Sequence, residues 1–403
     1  MTDMPQTGGG VPTPQAPAPV YGWYIPVGPP QGNQAPPGYP AHPGWYPPPA
    51  WGPPPVWGAP PVWGPVRPPS FAKVPHAEPQ PYLRLMRTVN YRWWRPVLGI
   101  LSFVGAYVVA VFIVTFGFVA GGFDLQDLTR LDDLTDPTVL ALANASLIVA
   151  IPAVWLAWVV HTERFGWASS VVGRIRWPLL WRYGLLGLAV IGVGIVLSLA
   201  VGGGIGPTSG YDGAEFAVLL TVVVLSTPLQ SAAEEYVFRG YASQAIASWI
   251  PSRTTGVVLA ALITATLFSL AHAPGDVFTF LDRFAFGLAA SVVVWLTGGL
   301  EAAIALHAAN NVVIFLVVGA LGGETSSDIQ TGSGTAALIV ALDVLVMGIY
   351  VWIVAKTRRR WHPELLSRAS GPATVPQAGP EPHLGPSTAG VGGASWPSPG
   401  PVG

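Results

Sequence analysis

Eight stretches of this chain are too long and too apolar to be accounted for as surface or loop. They run roughly over 96–122, 138–160, 178–203, 214–238, 255–273, 279–297, 301–320 and 334–356. A helix needs about 20 apolar residues to cross the hydrocarbon core of a bilayer, and each stretch is near that length. In lipid every backbone polar group must be satisfied inside its own segment, which makes helix the available conformation. The expected fold is all-α: a polytopic transmembrane helical bundle of about eight spans.

The averages over 403 residues conceal unlike parts: 51% of residues are hydrophobic and 10% charged, with 48 Gly and 43 Pro. The division expected is a Pro/Gly/Trp-rich tail over 1–80, N-terminal transmembrane helices over 81–213, a core carrying the polar motifs over 214–356, and a basic then Pro/Gly-rich tail over 357–403. Both tails have the composition of disordered segments. In the first, Trp45, Trp51, Trp57 and Trp63 recur every six residues. Polyproline II has three residues per turn, so this period sets the rings along one edge, as a spacer resting at the membrane interface or as a surface for an unknown partner. A net charge of -1 gives no whole-chain attraction to nucleic acid, and none is expected as a partner. The absence of Cys removes thiolate nucleophiles, disulfides and Cys-based metal sites. The first residues lack a basic patch followed by an apolar core, so no cleavable signal is expected.

Lys and Arg collect in alternate loops. Arg84, Arg87, Arg92 and Arg95 precede the first span, and Arg164, Arg174 and Arg176 follow the second. Arg239 and Arg253 follow the fourth, and Lys356, Arg358, Arg359 and Arg360 end the eighth. The intervening loops are acidic or neutral: "FDLQDLTRLDDLTD" holds five Asp against one Arg, and "GGETSSDIQTGSG" holds no Lys or Arg. Arg283, in a loop assigned to the outside, is the exception. The positive-inside bias places both termini in the cytoplasm of a multi-pass plasma-membrane protein.

Ionisable residues inside membrane spans are costly, about 2.5–3.5 kcal/mol each at a helix centre on insertion scales. Those in or at the edges of the spans are Glu215, Glu234, Glu235, Arg239, His272, Glu301, His307 and Asp343, joined by Asn144, Asn310 and Asn311. Glu215 and Glu301 open helices, where the macrodipole favours a carboxylate. Glu235 and Arg239 are four apart with Glu first, the favourable spacing for a helical ion pair. That leaves Glu234, about 100° around the helix from its neighbour. A carboxylate in such a place needs a distant partner or a proton, the profile of a general base. His272 closes "FSLAH" four residues after Phe268, and His307 opens "HAANN" four residues before Asn311, so each pair shares a helix face. The chain has no HExxH helix, GxSxG elbow or Walker loop.

The motifs must also meet at one height. Glu234 precedes Arg253 by 19 residues and His272 follows it by 19. A hairpin turning near Arg253 sets the two level, roughly 28 Å from the turn. His307 lies roughly 12–14 Å past the Gly298–Gly299 turn. The heights agree if the hairpin reaches about 15 Å beyond the membrane, through Tyr241, Ser243, Gln244, Ser248, Ser252 and Arg253.

Taken together, "EEYVFR", "FSLAH" and "HAANN", in this order on successive spans, resemble the EExxxR, FxxxH and HxxxN motifs of the CAAX protease and bacteriocin-processing family (CPBP, also called Abi). The resemblance covers about 214–320, extending at most to 356, and makes 214–356 a protease-like core. It implies an intramembrane endopeptidase in which Glu234 activates water, His272 orients it or shares its proton, and His307 and Asn311 stabilise the oxyanion. Glu235, Arg239 and Phe268 support that geometry. The family is often labelled metalloprotease, which leaves open a divalent metal such as zinc on Glu234, His272 and His307. The implied partners are the bilayer and a peptide or membrane-protein substrate: a prenylated C-terminus, a bacteriocin-like leader or a juxtamembrane segment. Two other readings stand beside it. One is a non-catalytic immunity or membrane-adaptor protein on the same fold. The other is a proton-coupled carrier, which calls for inverted repeats that the sequence does not display.

Overall fold

The computed structural model describes residues 76, 78–88, 90–124, 134, 136–202, 213–321 and 333–368. The tryptophan repeat, most of the acidic loop near 130, the neutral loop before 333 and the second tail beyond 368 lie outside the described residues.

The described chain is all helix apart from turns. The helices are α1 Arg95–Ala120, α2 Pro137–Ile148, α3 Ala150–Val159, α4 Trp177–Gly202, α5 Gly213–Glu235, α6 Ser243–Trp249, α7 Arg253–Ala271, α8 Val277–Thr297, α9 Glu301–Leu321 and α10 Ser333–Trp361. With α2 continuing through Val149 into α3, and α5 reaching α6 through a π-helical segment Tyr236–Ala242, they make eight spans long and apolar enough to cross a membrane. The ends follow local chemistry. Asp136 Oδ1 caps α2 by accepting from the Thr138 and Val139 amides at 2.7 and 3.1 Å, with Pro137 at the first helical position. Asp276 caps α8 in the same way, and Ser252 caps α7. Gly298, at φ +69°, closes α8 in the left-handed conformation that an L side chain resists.

The fourth span departs from expectation. It does not end near 238 but continues through the π segment to Trp249, then reverses at Ile250–Ser252. Arg239, read from sequence as a loop cation, is buried at 1% exposure inside this span. Its place in the positive-inside tally is therefore withdrawn. The polar residues expected to face water beyond the membrane are also turned inward: Tyr241, Ser243, Gln244 and Ser248 are all buried. Gln244 Nε2 donates to the Trp167 carbonyl at 3.0 Å, and Ser243 Oγ to the Phe238 carbonyl at 2.8 Å. At its far end α10 runs past the expected 356 to Trp361, and Ser367 then pairs with Gln80 in both directions.

α9 is the most buried span and α1 the least. α4, α5 and α8 pack around α9, α10 packs on α4 and α8, and α1 rests on α3 and α2 with most of its apolar side chains outward. Small residues permit the closest approach: a Cβ on Gly187 of α4 would lie 3.0 Å from the Ala305 carbonyl of α9. Asn144 of α2 donates to Ser226 and Thr227 of α5 at 2.8 and 3.0 Å. Ser198 of α4 donates to Asp343 of α10 at 2.6 Å and gives that carboxylate a partner across the bundle.

Glu301 does more than open α9. Its carboxylate receives Arg176 Nε and the Arg176 amide at 2.8 Å on Oε1, and Nη2 at 2.7 Å on Oε2, with both side chains buried. Arg176 also donates to the Thr297 and Glu364 carbonyls, so one fork ties the α3–α4 loop, the α8–α9 turn and the segment after α10.

Just beyond α3, His161 is buried with a ring nitrogen 3.0 Å from Tyr241 Oη. Burial, and secondarily the Arg95 charge, push its pKa down to about 4. The unfolded chain therefore binds the proton more readily between pH 6.5 and 4, and stability falls as pH falls through that window. The expected loss is about 3 kcal/mol by the bottom of the window. Thermal midpoints measured from pH 8 downward should drop more steeply in the wild type than in His161→Gln, and equal slopes would refute this.

Candidate active site

α5, the π segment, α7 and α9 place the motif residues. Glu234 and Glu235 end α5. The π segment begins at the next residue, and such insertions often sit where a helix is re-aimed at a functional site. Across the turn at 250–252, α7 runs back until His272 caps its end. His272 Nε2 then lies 3.8 Å from Glu234 Oε2, so the two are level, as the hairpin count expected. α9 brings His307 from the other side, its Nε2 3.5 Å from the same oxygen.

The hydrogen bonds determine which ring nitrogens carry protons. His272 Nδ1 is 2.7 Å from the Phe268 carbonyl, which can only accept, so Nδ1 carries the hydrogen. His307 Nδ1 is 2.8 Å from Glu235 Oε1, which also accepts from Arg239, and donates likewise to that oxygen. In the neutral rings both Nε2 lone pairs therefore face Glu234 Oε2, an atom that is buried and accepts no hydrogen bond. Three acceptors surround one small space, an arrangement suited to a water molecule or a proton.

Glu235 is committed elsewhere. Besides His307 it receives Arg239 Nη1 at 2.9 Å, the ion pair read from the spacing of four. The Arg239 guanidinium lies 4.5 Å over the Phe268 ring. Phe268 also packs edge-on to His307 at 5.7 Å, and so does Phe286 at 5.1 Å. These rings exclude water from one side of the cluster. His272 is one-third exposed and provides the open side.

Two contributors escaped the sequence reading. Gln230 is buried, donates through Nε2 to Glu234 Oε1 at 2.6 Å and receives Asn311 Nδ2 on Oε1 at 3.1 Å, so it connects two candidate residues. Its position four residues before Glu234 was the available signal. Phe286 had none. Asn311 thus joins the cluster through Gln230 and keeps a second amide hydrogen to offer, while Asn310 donates to Asn311 Oδ1 at 3.2 Å.

The same span of chain matches a known family. Residues 214–313 match the model described as Type II CAAX prenyl endopeptidase Rce1-like. This part of the chain is a CAAX-protease-family domain. It contains α5 to α8, most of α9 and all four candidate catalytic residues, whereas α1–α4 and α10 lie outside the match. The chain is also 25% identical over 296 residues to a Bacillus subtilis (strain 168) protein named "Uncharacterized protein YyaK", covering 67% of this chain and 95% of that relative. No solved structure matches.

Within the CAAX-protease domain, Glu234, His272 and His307 are donor types that catalytic zinc accepts. The carboxylate on His307 Nδ1 and the carbonyl on His272 Nδ1 are partners that orient metal-bound imidazoles. Yet among the described residues no group of three His, Cys, Asp or Glu side chains is arranged to hold a metal ion. The donor types fit and the arrangement does not, so no step below passes through a metal.

Proposed function

We propose that the chain is an intramembrane endopeptidase of the CPBP (Abi) type, hydrolysing a peptide bond of a membrane-associated substrate. The observation that carries this reading is the convergence of two imidazole lone pairs on the unpartnered Oε2 of Glu234.

A water held there presents its oxygen to a substrate carbonyl carbon. As the C–O bond forms, Glu234 Oε2 takes one water proton and the carbonyl electrons move onto the oxygen. His272 Nε2 accepts from the same water and aims it. The oxyanion is met by the second amide hydrogen of Asn311 and, when the His307 ring carries hydrogen on Nε2 as well as Nδ1, by that Nε2–H. Collapse breaks the C–N bond, and the proton held by Glu234 passes to the leaving nitrogen. Glu235, Arg239 and Phe268 position His307 and are not themselves reactive. The Arg-rich loops support an orientation with both termini in the cytoplasm, which, with His307 about one to two turns past the α8–α9 turn, sets the site inside the bilayer on its cytoplasmic side.

Asn311→Ala should lower turnover by about 10²–10³-fold with little change in KM, the size of one lost oxyanion donor. A KM effect alone would assign Asn311 to substrate binding instead.

The test of the function is cleavage by the purified full chain in proteoliposomes. Quenched fluorescent peptides would be offered with a prenylated C-terminus, a leader-like segment, or a transmembrane helix and its juxtamembrane residues. The proposal expects at least one to be cut by the wild type and none by Glu234→Gln. Equal cleavage by both proteins would overturn it.

A further inference from the structure

A second polar cavity, separate from the Glu–His cluster, opens where the chain enters α1 and where α6 turns into α7. It measures about 360 Å³ and is lined by Gln80, Arg84, Arg87, Thr88, Tyr91 and Arg253. Three guanidinium groups thus share one space, and no carboxylate is among the lining residues.

Each arginine is held differently. Arg84 is buried and donates to the carbonyls of Ala247, Ile250 and Pro251 at 2.9, 2.6 and 2.7 Å, closing the end of α6. Those acceptors are neutral dipoles and leave its charge uncompensated. Arg87 lines the cavity, donates through Nε to the Ser248 carbonyl at 2.7 Å, lies over the Tyr91 ring at 5.5 Å, and has no carboxylate partner among the described residues. Arg253 is exposed and opens α7, and its side chain makes no hydrogen bond or ion pair among the described residues. Burial first, and then the charges of Arg87 and Arg253, push the Arg84 guanidinium below its ordinary value. The same three charges would be relieved by an anion between them, and the N-terminus of α7 adds its own positive dipole end.

The position of the cavity narrows the choice of anion. Trp93, Trp94 and Trp249 stand exposed beside it, and Trp249 Nε1 donates to the Trp93 carbonyl at 2.8 Å. Exposed tryptophans at the ends of apolar helices mark the membrane–water boundary. Basic pockets at that depth suit phosphate headgroups. We infer that this cavity binds a phosphate-bearing anion, and that its depth favours the headgroup of an anionic phospholipid as the source.

The test uses the full chain in nanodiscs of phosphatidylcholine containing a minority of phosphatidylglycerol, with retained lipid counted by native mass spectrometry. In parallel, inorganic phosphate is titrated into phosphatidylcholine-only discs while the thermal midpoint is followed. Enrichment of phosphatidylglycerol on the wild type, falling about five-fold for each guanidinium removed in Arg253→Gln and Arg87→Gln, establishes the lipid source. A phosphate-dependent rise in midpoint that Arg253→Gln abolishes, without lipid enrichment, establishes a free phosphate. Absence of both, or enrichment that neither variant reduces, overturns the inference. Arg87 also holds Ser248, so its midpoint in phosphatidylcholine-only discs is checked against the wild type. Arg253→Gln, which removes no bond of the fold, decides the matter if Arg87→Gln is unstable.

Discussion

Glu234→Gln is expected to lower turnover about 10²–10⁴-fold, the range for removal of a positioned general base, while the melting midpoint stays at the wild-type value. The reason lies in how the two carboxylate oxygens are used. Oε1 accepts from Gln230, and a glutamine oxygen can keep that bond. Oε2 accepts nothing and faces two imidazole lone pairs, so only the chemistry loses by its replacement. Glu235→Gln should behave in the opposite proportion. It weakens the ion pair with the fully buried Arg239 and the bond that holds His307, so stability falls along with activity. Adjacent residues with the same side chain would then separate by readout. A Glu234→Gln protein that melts early, or that retains most of its turnover, would contradict this division of roles.

Glu301→Ala should destabilise the protein by about 3–5 kcal/mol, because it removes the buried counter-charge of Arg176 and leaves only the exposed Glu364 carboxylate, 3.5 Å from Nη1. The lost fork also releases the turn that begins α9, and α9 carries His307 and Asn311. The site should therefore loosen without any change in its own residues. Arg176→Met combined with Glu301→Leu should recover most of the loss, since a buried pair replaced by apolar side chains of similar volume is often neutral. Midpoints of the single and double variants in nanodiscs check both statements. A single variant within about 1 kcal/mol of wild type would contradict this and assign the compensation of Arg176 to Glu364 or water.

What could be read from the chain alone divides along a physical line. The spans were visible because hydropathy is a local property, and all eight coincide with helices of adequate length. The Glu235–Arg239 pair and the level placement of Glu234 with His272 were visible because they depend on helix period and rise, counted along contiguous chain. The Arg176–Glu301 fork joins residues 125 positions apart, and Ser198–Asp343 joins residues 145 apart. Local spacing carries no information about such pairs. Arg239 was assigned to a loop because a charge normally ends a span. The π segment instead carries it inward, and no composition signal announces a π insertion. Tyr241, Gln244 and Ser248 were misplaced for a related reason: polar side chains can find carbonyl and imidazole partners in a packed interior as readily as water. Gln230 was the near miss, a polar residue at helical spacing from Glu234 whose second partner lies on another helix.

The most direct measurement of the central claim is a comparison of membrane-protein termini in cells carrying the wild type or Glu234→Gln at equal abundance. If Glu234 activates the water that cleaves a membrane-associated peptide bond, new termini near a membrane boundary should appear with the wild type and vanish with the variant. Identical sets of termini in the two cell populations would contradict the account.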